Sequence, residues 1–245
     1  VDGARQDLAR VVREAAARGG KVLIPAFAVG RTQELVYSLH ELMHDGAVPP
    51  IPIVIDSPLA SRATAVFEQH AAVFDTSEPF VRTHPDASLF TSPHLRYTES
   101  VEESKALDSQ PGPAVIIAAS GMAESGRILH HLLHGASDPK NTILVVGFMA
   151  EHTLGRRIVE RRATIRVFGE DVPLRARVEI IDGYSAHADR HGLRRWLDAV
   201  RAGSPTLAQV HLVHGEPEAQ DALATTLAAD GYRVDCPSPG ARAPL

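Results

Sequence analysis

Two histidines stand where a chain could do acid–base or metal chemistry. His187 lies in Asp182-Gly183-Tyr184-Ser185-Ala186-His187-Ala188-Asp189, after the apolar run Val178-Glu179-Ile180-Ile181 and before a helical pattern of Leu193, Trp196, Leu197 and Val200. That is a strand-to-helix junction, with small residues on both sides leaving room for a ligand. His214 ends a second apolar run, Val210-His211-Leu212-Val213-His214-Gly215-Glu216. An imidazole at a strand end can hold a metal or move a proton near neutral pH. Each could equally be a hydrogen-bonded structural histidine. His211, three residues from His214 in the same strand, faces the opposite side and cannot share a metal with it.

A second constellation is Ser120-Gly121-Met122-Ala123-Glu124-Ser125-Gly126, between an apolar strand and a helix. Its glycines let the backbone approach a ligand, and free N–H groups at a helix start favour an anion. Ser57, in Asp56-Ser57-Pro58, could serve similarly at the start of its own helix. No Gly-Lys-Ser/Thr follows, so this is not a P-loop, and no dinucleotide fingerprint is present. Ordinary tight turns and N-caps compete with the phosphate reading.

Most of the thirteen histidines do not make a metal site. His130 and His134 lie four apart on a helix, but no carboxylate or third ligand has matching spacing, which favours an exposed helix face. His187 and His191 have the spacing of a zinc-protease pair, but Ala188 stands where the glutamate base would be. Arg156, Arg157, Arg161, Arg162 and Arg166 form the densest cationic cluster. Glu160 interrupts it, which favours a solvated helix face over a nucleic-acid footprint.

These residues need a scaffold. Leu8, Val11, Val12 and Ala15 share one face of a helix from Asp2 to Arg18, which Gly19-Gly20 ends. Lys21–Pro25, Ile51–Ile55, Ala114–Ala118 and Thr142–Gly147 are short apolar strands, each followed by a loop and a helix. Residues 75–112 read as an irregular excursion with one short helix near Val101–Leu107. Apolar strands alternating with helices predict a parallel sheet covered on both faces. Right-handed crossovers bring all four post-strand loops to one edge, where ligands bind in such sheets. After Arg162 the rhythm changes. Thr164–Phe168 and Leu174–Ile181 read as a strand pair around Gly169-Glu170-Asp171, followed by helix, strand (Val210–Val213), helix and tail strand. The expected organisation is a first domain over 1–163 and a second segment over 164–245.

The 245 residues suffice for one large or two ordinary domains. A net charge of −5 means that any nucleic-acid footprint must be local. One cysteine, Cys236, excludes an internal disulfide and fits a reducing cytoplasm. No apolar run approaches a membrane span.

Six segments, in order, resemble the β-CASP family of metallo-β-lactamase-fold nucleases, in its RNA-processing branch with the cleavage and polyadenylation endonuclease and its prokaryotic homologues. They are residues 19–34, Asp56-Ser57-Pro58-Leu59-Ala60, Ser120-Gly121-Met122 with Ser125-Gly126, Gly147 through Thr153-Leu154-Gly155, Ser185-Ala186-His187-Ala188-Asp189, and Val213-His214-Gly215-Glu216. The resemblance implies an α/β fold: a parallel-sheet β-CASP domain with helices on both faces, then the C-terminal part of a metallo-β-lactamase αββα sandwich. It implies that His187 assists the phosphate as general acid and that His214 is a zinc ligand. A histidine at the latter position is similar to the RNA-cleaving branch. Ser57, Ser120, Gly121 and Met122 fall in loops that would bind substrate.

The family's H-x-H-x-D-H segment and its other early metal ligands are not in this sequence. The resemblance therefore implies the C-terminal portion of a longer zinc-dependent ribonuclease, with two zinc ions in the complete enzyme and little activity in this chain alone. The implied partners are single-stranded RNA and the missing N-terminal metallo-β-lactamase half; a homodimer is compatible. A non-catalytic RNA-binding or scaffold member of the family is the alternative, and a nucleotide-binding doubly wound domain a weaker one.

Overall fold

The computed structural model describes residues 2–74, 81, 89–185, 187–204, 206, 207, 209–238 and 240–242. The chain divides into two compact units, Val1–Ser185 and Ala186–Leu245.

The first unit is built on six parallel strands in the spatial order β3-β2-β4-β1-β5-β8. They are β1 (Lys21–Pro25), β2 (Ile53–Asp56), β3 (Leu95–Tyr97), β4 (Ala114–Ala118), β5 (Thr142–Val145) and β8 (Arg177–Ile180). The register runs Lys21↔Ala114 to Pro25↔Ala118 between β1 and β4, and Ile53↔Val115 to Asp56↔Ala118 between β2 and β4. Because successive side chains alternate, the central strands feed two cores. Val22, Ile24, Ile53, Ile55, Val115 and Ile117 join the core under α1 (Asp2–Ala17), α2 (Arg31–His44) and α3 (Pro58–Gln69). Leu23, Val54, Ile116 and Ile143 join the other, under α4 (Val101–Ser109), α5 (Ile128–Gly135) and α6 (Leu154–Val159). The expected parallel sheet with helices on both faces is present.

Two elements differ from the sequence reading. β3 lies in the stretch read as irregular. Three residues carry too little periodicity to announce a strand; the pairing of Leu95, Arg96 and Tyr97 with β2 makes it one. The rest of that stretch, apart from Val81, is outside the described residues up to Leu89. Beyond α6, the expected strand pair is instead a tight hairpin of β6 (Thr164–Val167) and β7 (Glu170–Pro173). Its turn is Phe168-Gly169, with φ of 50° and 85°, the two left-handed positions of the turn that suits hairpin twist. The hairpin covers the second core with Ile165, Val167 and Val172, and β8 pairs in parallel with β5 from Thr142↔Arg177 to Val145↔Ile180.

The second unit pairs β9 (Val210–His211) in parallel with β10 (Val234–Asp235) beside α7 (Arg190–Gly203) and α8 (Pro217–Ala229). Its buried centre is Leu197, Leu227 and Tyr232. Of the apolar stripe Leu193, Trp196, Leu197 and Val200, only Leu197 is buried; Trp196 is 66% exposed. No helix among the described residues is long and apolar enough to cross a membrane.

Candidate functional site

Parallel strands bring the loops after β1, β2, β4 and β5 to one edge of the first unit. The loop after β1 is pinned by the helix it enters: Thr32 Oγ1 donates to Phe27 O (2.8 Å), and Gln33 Nε2 to Ala28 O (3.2 Å) and Thr64 Oγ1 (2.8 Å). Phe27 is thereby held with half its surface exposed, against Gly121. A Cβ on Gly121 would lie 2.7 Å from that ring, so the close approach requires glycine there.

The loop after β4 is closed on itself. Ser120 N donates to Ser125 O (3.1 Å), Ala123 N to Ser120 O (3.1 Å), and Glu124 N to Ser120 Oγ (3.2 Å). It is tied to the loop after β5, since Gly155 N donates to Met122 O (3.0 Å) and the Glu124 carboxylate accepts from Leu154 N. Thr153 caps α6 by accepting from Arg156 N (3.1 Å). Ser120, Gly121 and Met122 thus form a braced platform rather than a mobile turn. Ser57 stands apart. It is 5% exposed, and its Oγ accepts from Ala60 N (3.2 Å) as the N-cap of α3.

Beneath this edge lies a charge cluster that the sequence reading missed. Asp56, fully buried at the end of β2, accepts from Ser104 Oγ (2.6 Å), Arg127 Nη1 (2.7 Å), His131 Nε2 (2.7 Å) and the Thr98 hydroxyl. His131 Nδ1 donates to Asp108 Oδ1 (2.8 Å). A ring with a carboxylate at each nitrogen must donate from both, so His131 is an imidazolium. Burial alone would raise the Asp56 pKa; the hydrogen bonds from His131, Ser104, Thr98 and Arg127 outweigh it and hold the carboxyl far below its ordinary range. Burial would lower the His131 pKa, and its bonds to Asp108 and Asp56 raise it instead. One signal was available. His131 sits on the Ile128–Leu132 face of α5, the buried one, whereas His130 and His134 carry the four-residue spacing of a chelating pair. That pair is not a chelate: His130 lies against the Phe168 ring, and His134 Nε2 approaches Asp108 at 3.7 Å.

In the second unit His187 precedes α7, and Asp189 caps that helix, its Oδ1 accepting from Gly192 N (2.7 Å). That backbone bond lowers the Asp189 pKa. His214 follows β9 and is exposed beside Gly215. His211 turns elsewhere, with its Nδ1 3.4 Å from Asp235 Oδ2. Among the described residues no group of three or more His, Cys, Asp or Glu side chains could hold a metal ion. A tetrahedral zinc centre needs four ligands, or three and a water. The residues present therefore do not fit a complete zinc site.

The cationic segment is only partly neutralised. Arg156 and Arg162 both reach Glu160, at 3.2 and 2.9 Å. Arg161 donates to Val178 O (3.1 Å) and Arg166 to Gly169 O (3.2 Å).

Residues 32–158, just over half the chain, match the Beta-Casp domain family, and residues 171–237 match the Zn-dependent metallo-hydrolase RNA specificity domain. Ribonuclease TTHA0252 of Thermus thermophilus is 40% identical over 231 residues, 94% of this chain and 51% of that protein. Transcription termination factor FttA of Methanosarcina mazei is 31% identical over 229 residues, 91% of this chain and 35% of that protein. The Thermococcus kodakarensis protein of the same name is 35% identical over 221 residues, 87% of this chain and 33% of that protein. The chain spans about half the length of the first of these and about a third of the others. With both domain matches in order along a parallel-sheet scaffold, the chain belongs to the β-CASP family of metallo-β-lactamase-fold nucleases.

Proposed function

We propose that this chain is the RNA-holding portion of a zinc-dependent ribonuclease that hydrolyses RNA phosphodiester bonds. The observation that carries the proposal is the succession, in one chain, of a Beta-Casp domain and an RNA specificity domain of Zn-dependent metallo-hydrolases. The braced Ser120-Gly121-Met122 platform gives the first unit a rigid surface for a strand of RNA, and the Ser57 turn supports that edge through its cap. A pre-set surface avoids the ordering cost that a mobile loop would incur on binding.

The second unit supplies two imidazoles with different tasks. His187 acts as general acid, giving its proton to the oxygen that leaves when the phosphodiester bond breaks. His214 is one zinc ligand, and the remaining ligands come from residues beyond this chain. A second reading, in which the protein binds RNA as a scaffold without cleaving it, is set apart by the zinc content of the native-length protein.

The test uses the native-length protein. His187→Ala should leave zinc content intact while kcat falls about 10²–10⁴-fold, the usual contribution of general acid–base catalysis. His214→Ala should lower zinc occupancy and activity together. A substrate with a better leaving group should recover part of the first loss and little of the second. Equal zinc loss in both variants would refute the assignment of roles, and a native-length protein without zinc or cleavage would establish the scaffold.

A further inference from the structure

Where the β6–β7 hairpin meets the far half of the loop after β4, a cavity of about 530 Å³ opens beside residues 123–126. A second, of about 290 Å³, shares His152 and Arg157 with it. Three non-glycine residues with left-handed backbone line the larger cavity: Ala123 (φ 57°), His152 (φ 66°) and Phe168 (φ 50°). Phe168 takes its conformation from the hairpin turn, whereas those of Ala123 and His152 are uncommon for non-glycine residues and hold the loops after β4 and β5 against the cavity.

The chemistry of the walls is specific. Phe168, at the hairpin tip, is 54% exposed and rests on the His130 ring with 4.7 Å between centroids. A large aromatic ring is thus held at the surface against His130, with about half of the residue left exposed. Arg157 and Arg166 also line the cavity. Unlike Arg156 and Arg162, neither has a carboxylate partner among the described residues. The cavity's own carboxylate, Glu124, is turned onto Leu154 N. An exposed aromatic ring beside two guanidinium groups that make no ion pair among the described residues is complementary to a base with its phosphates. An acidic peptide would satisfy the arginines but not the ring.

The geometry points to a subsite for one nucleotide of single-stranded RNA, with the base stacked on Phe168 and the flanking phosphates on Arg157 and Arg166. This rests on the reading that the chain holds RNA, and lies beyond the Ser120-Gly121-Met122 surface assigned there. The subsite should be sequence-tolerant, since every base has a stacking face.

Fluorescence anisotropy with labelled oligouridylate and oligoadenylate tests it, with inorganic polyphosphate as competitor. Phe168→Ala should weaken RNA binding about 5- to 150-fold, the range of base–aromatic stacking. It should leave polyphosphate binding and the thermal melt in place, because the side chain is exposed. Phe168→Trp should keep RNA affinity. Arg157→Ala should weaken both ligands and flatten the log–log salt dependence by about 0.7. If the parent binds RNA and Phe168→Ala binds it equally well, the subsite is wrong and the RNA-holding role stands. Loss of self-association in Phe168→Ala with RNA binding intact would assign the patch to a second copy and overturn the subsite. No RNA binding by the parent at low salt would refute both.

Discussion

Replacing Asp56 by asparagine asks how far the first unit depends on its buried charge cluster. The carboxylate is fully buried and receives Ser104, Thr98, Arg127 and His131. Asparagine removes the charge that two cations answer, and it turns one acceptor oxygen into an NH₂ facing donors. Breaking a buried ion pair by removing one partner costs about 3–5 kcal/mol, a large part of a domain stability of roughly 5–15 kcal/mol. At about 2–4 °C per kcal/mol for a unit of this size, Tm should fall by roughly 6–20 °C. Calorimetry measures the shift, and hydrogen exchange of β2 and β4 locates it. Trp196 fluorescence does not serve, because the only tryptophan lies in the second unit. A fall below about 2 °C would mean that the cluster behaves like a surface pair worth under about 1 kcal/mol, and the reasoning would fail.

The cluster also fixes a pH window. The depressed Asp56 pKa contributes stability that is present above the unfolded value of about 4 and is lost as pH falls through the folded pKa. The raised His131 pKa contributes stability that is complete below the unfolded value of about 6.5 and is lost as pH rises through the folded one. Both contributions are complete between about pH 4 and 6.5. The stability difference between the parent and His131→Gln should therefore be largest in that window and shrink on the alkaline side. A difference that is flat with pH would show His131 to be neutral in the folded protein.

Gly20→Ala should destabilise the first unit by about 1–3 kcal/mol or more, because its Cβ would meet Lys140 O at 1.9 Å, a backbone atom at the entry to β5. Gly3→Ala, with nothing within 4 Å, should not lower Tm in the same melt. After dialysis the chain should retain well under one zinc per molecule by elemental analysis, since no group of three or more His, Cys, Asp or Glu side chains among the described residues could hold the ion. Stoichiometric zinc would refute the expectation.

The scaffold was legible in the sequence because each central strand, Lys21–Pro25 to Thr142–Val145, has an apolar run at its centre and leads into a loop and a helix. Such runs can only be buried on both faces, which specifies a covered parallel sheet. The hairpin was misplaced by a few residues because Phe168 occupies a left-handed turn position that composition assigns to Gly, Asn or Asp. Gly169-Glu170-Asp171 has the composition of a turn, which makes β8 look like the hairpin's partner instead of a sixth strand of the sheet.

The charge cluster was illegible for a different reason. Asp56, Thr98, Ser104, Asp108, Arg127 and His131 come from five separate elements or loops; Ser104 with Asp108 and Arg127 with His131 stand four apart, but neither spacing points to Asp56. Each alone has an ordinary local explanation, and only the folded sheet brings them together. Their positions are nonetheless coupled to the edge above. Asp56 is the residue before Ser57, and Arg127 is the residue after the Ser120–Gly126 loop, so the 2.7 Å bond between them joins the roots of two post-strand loops. Arg127 Nη2 also donates to Glu99 O (3.0 Å), adding the segment after β3. A buried cation–carboxylate pair at that place sets the spacing of the loops in the interior, where salt screens it little. The spacing of the two loops is thus set without placing that carboxylate on the surface, since Asp56 is fully buried.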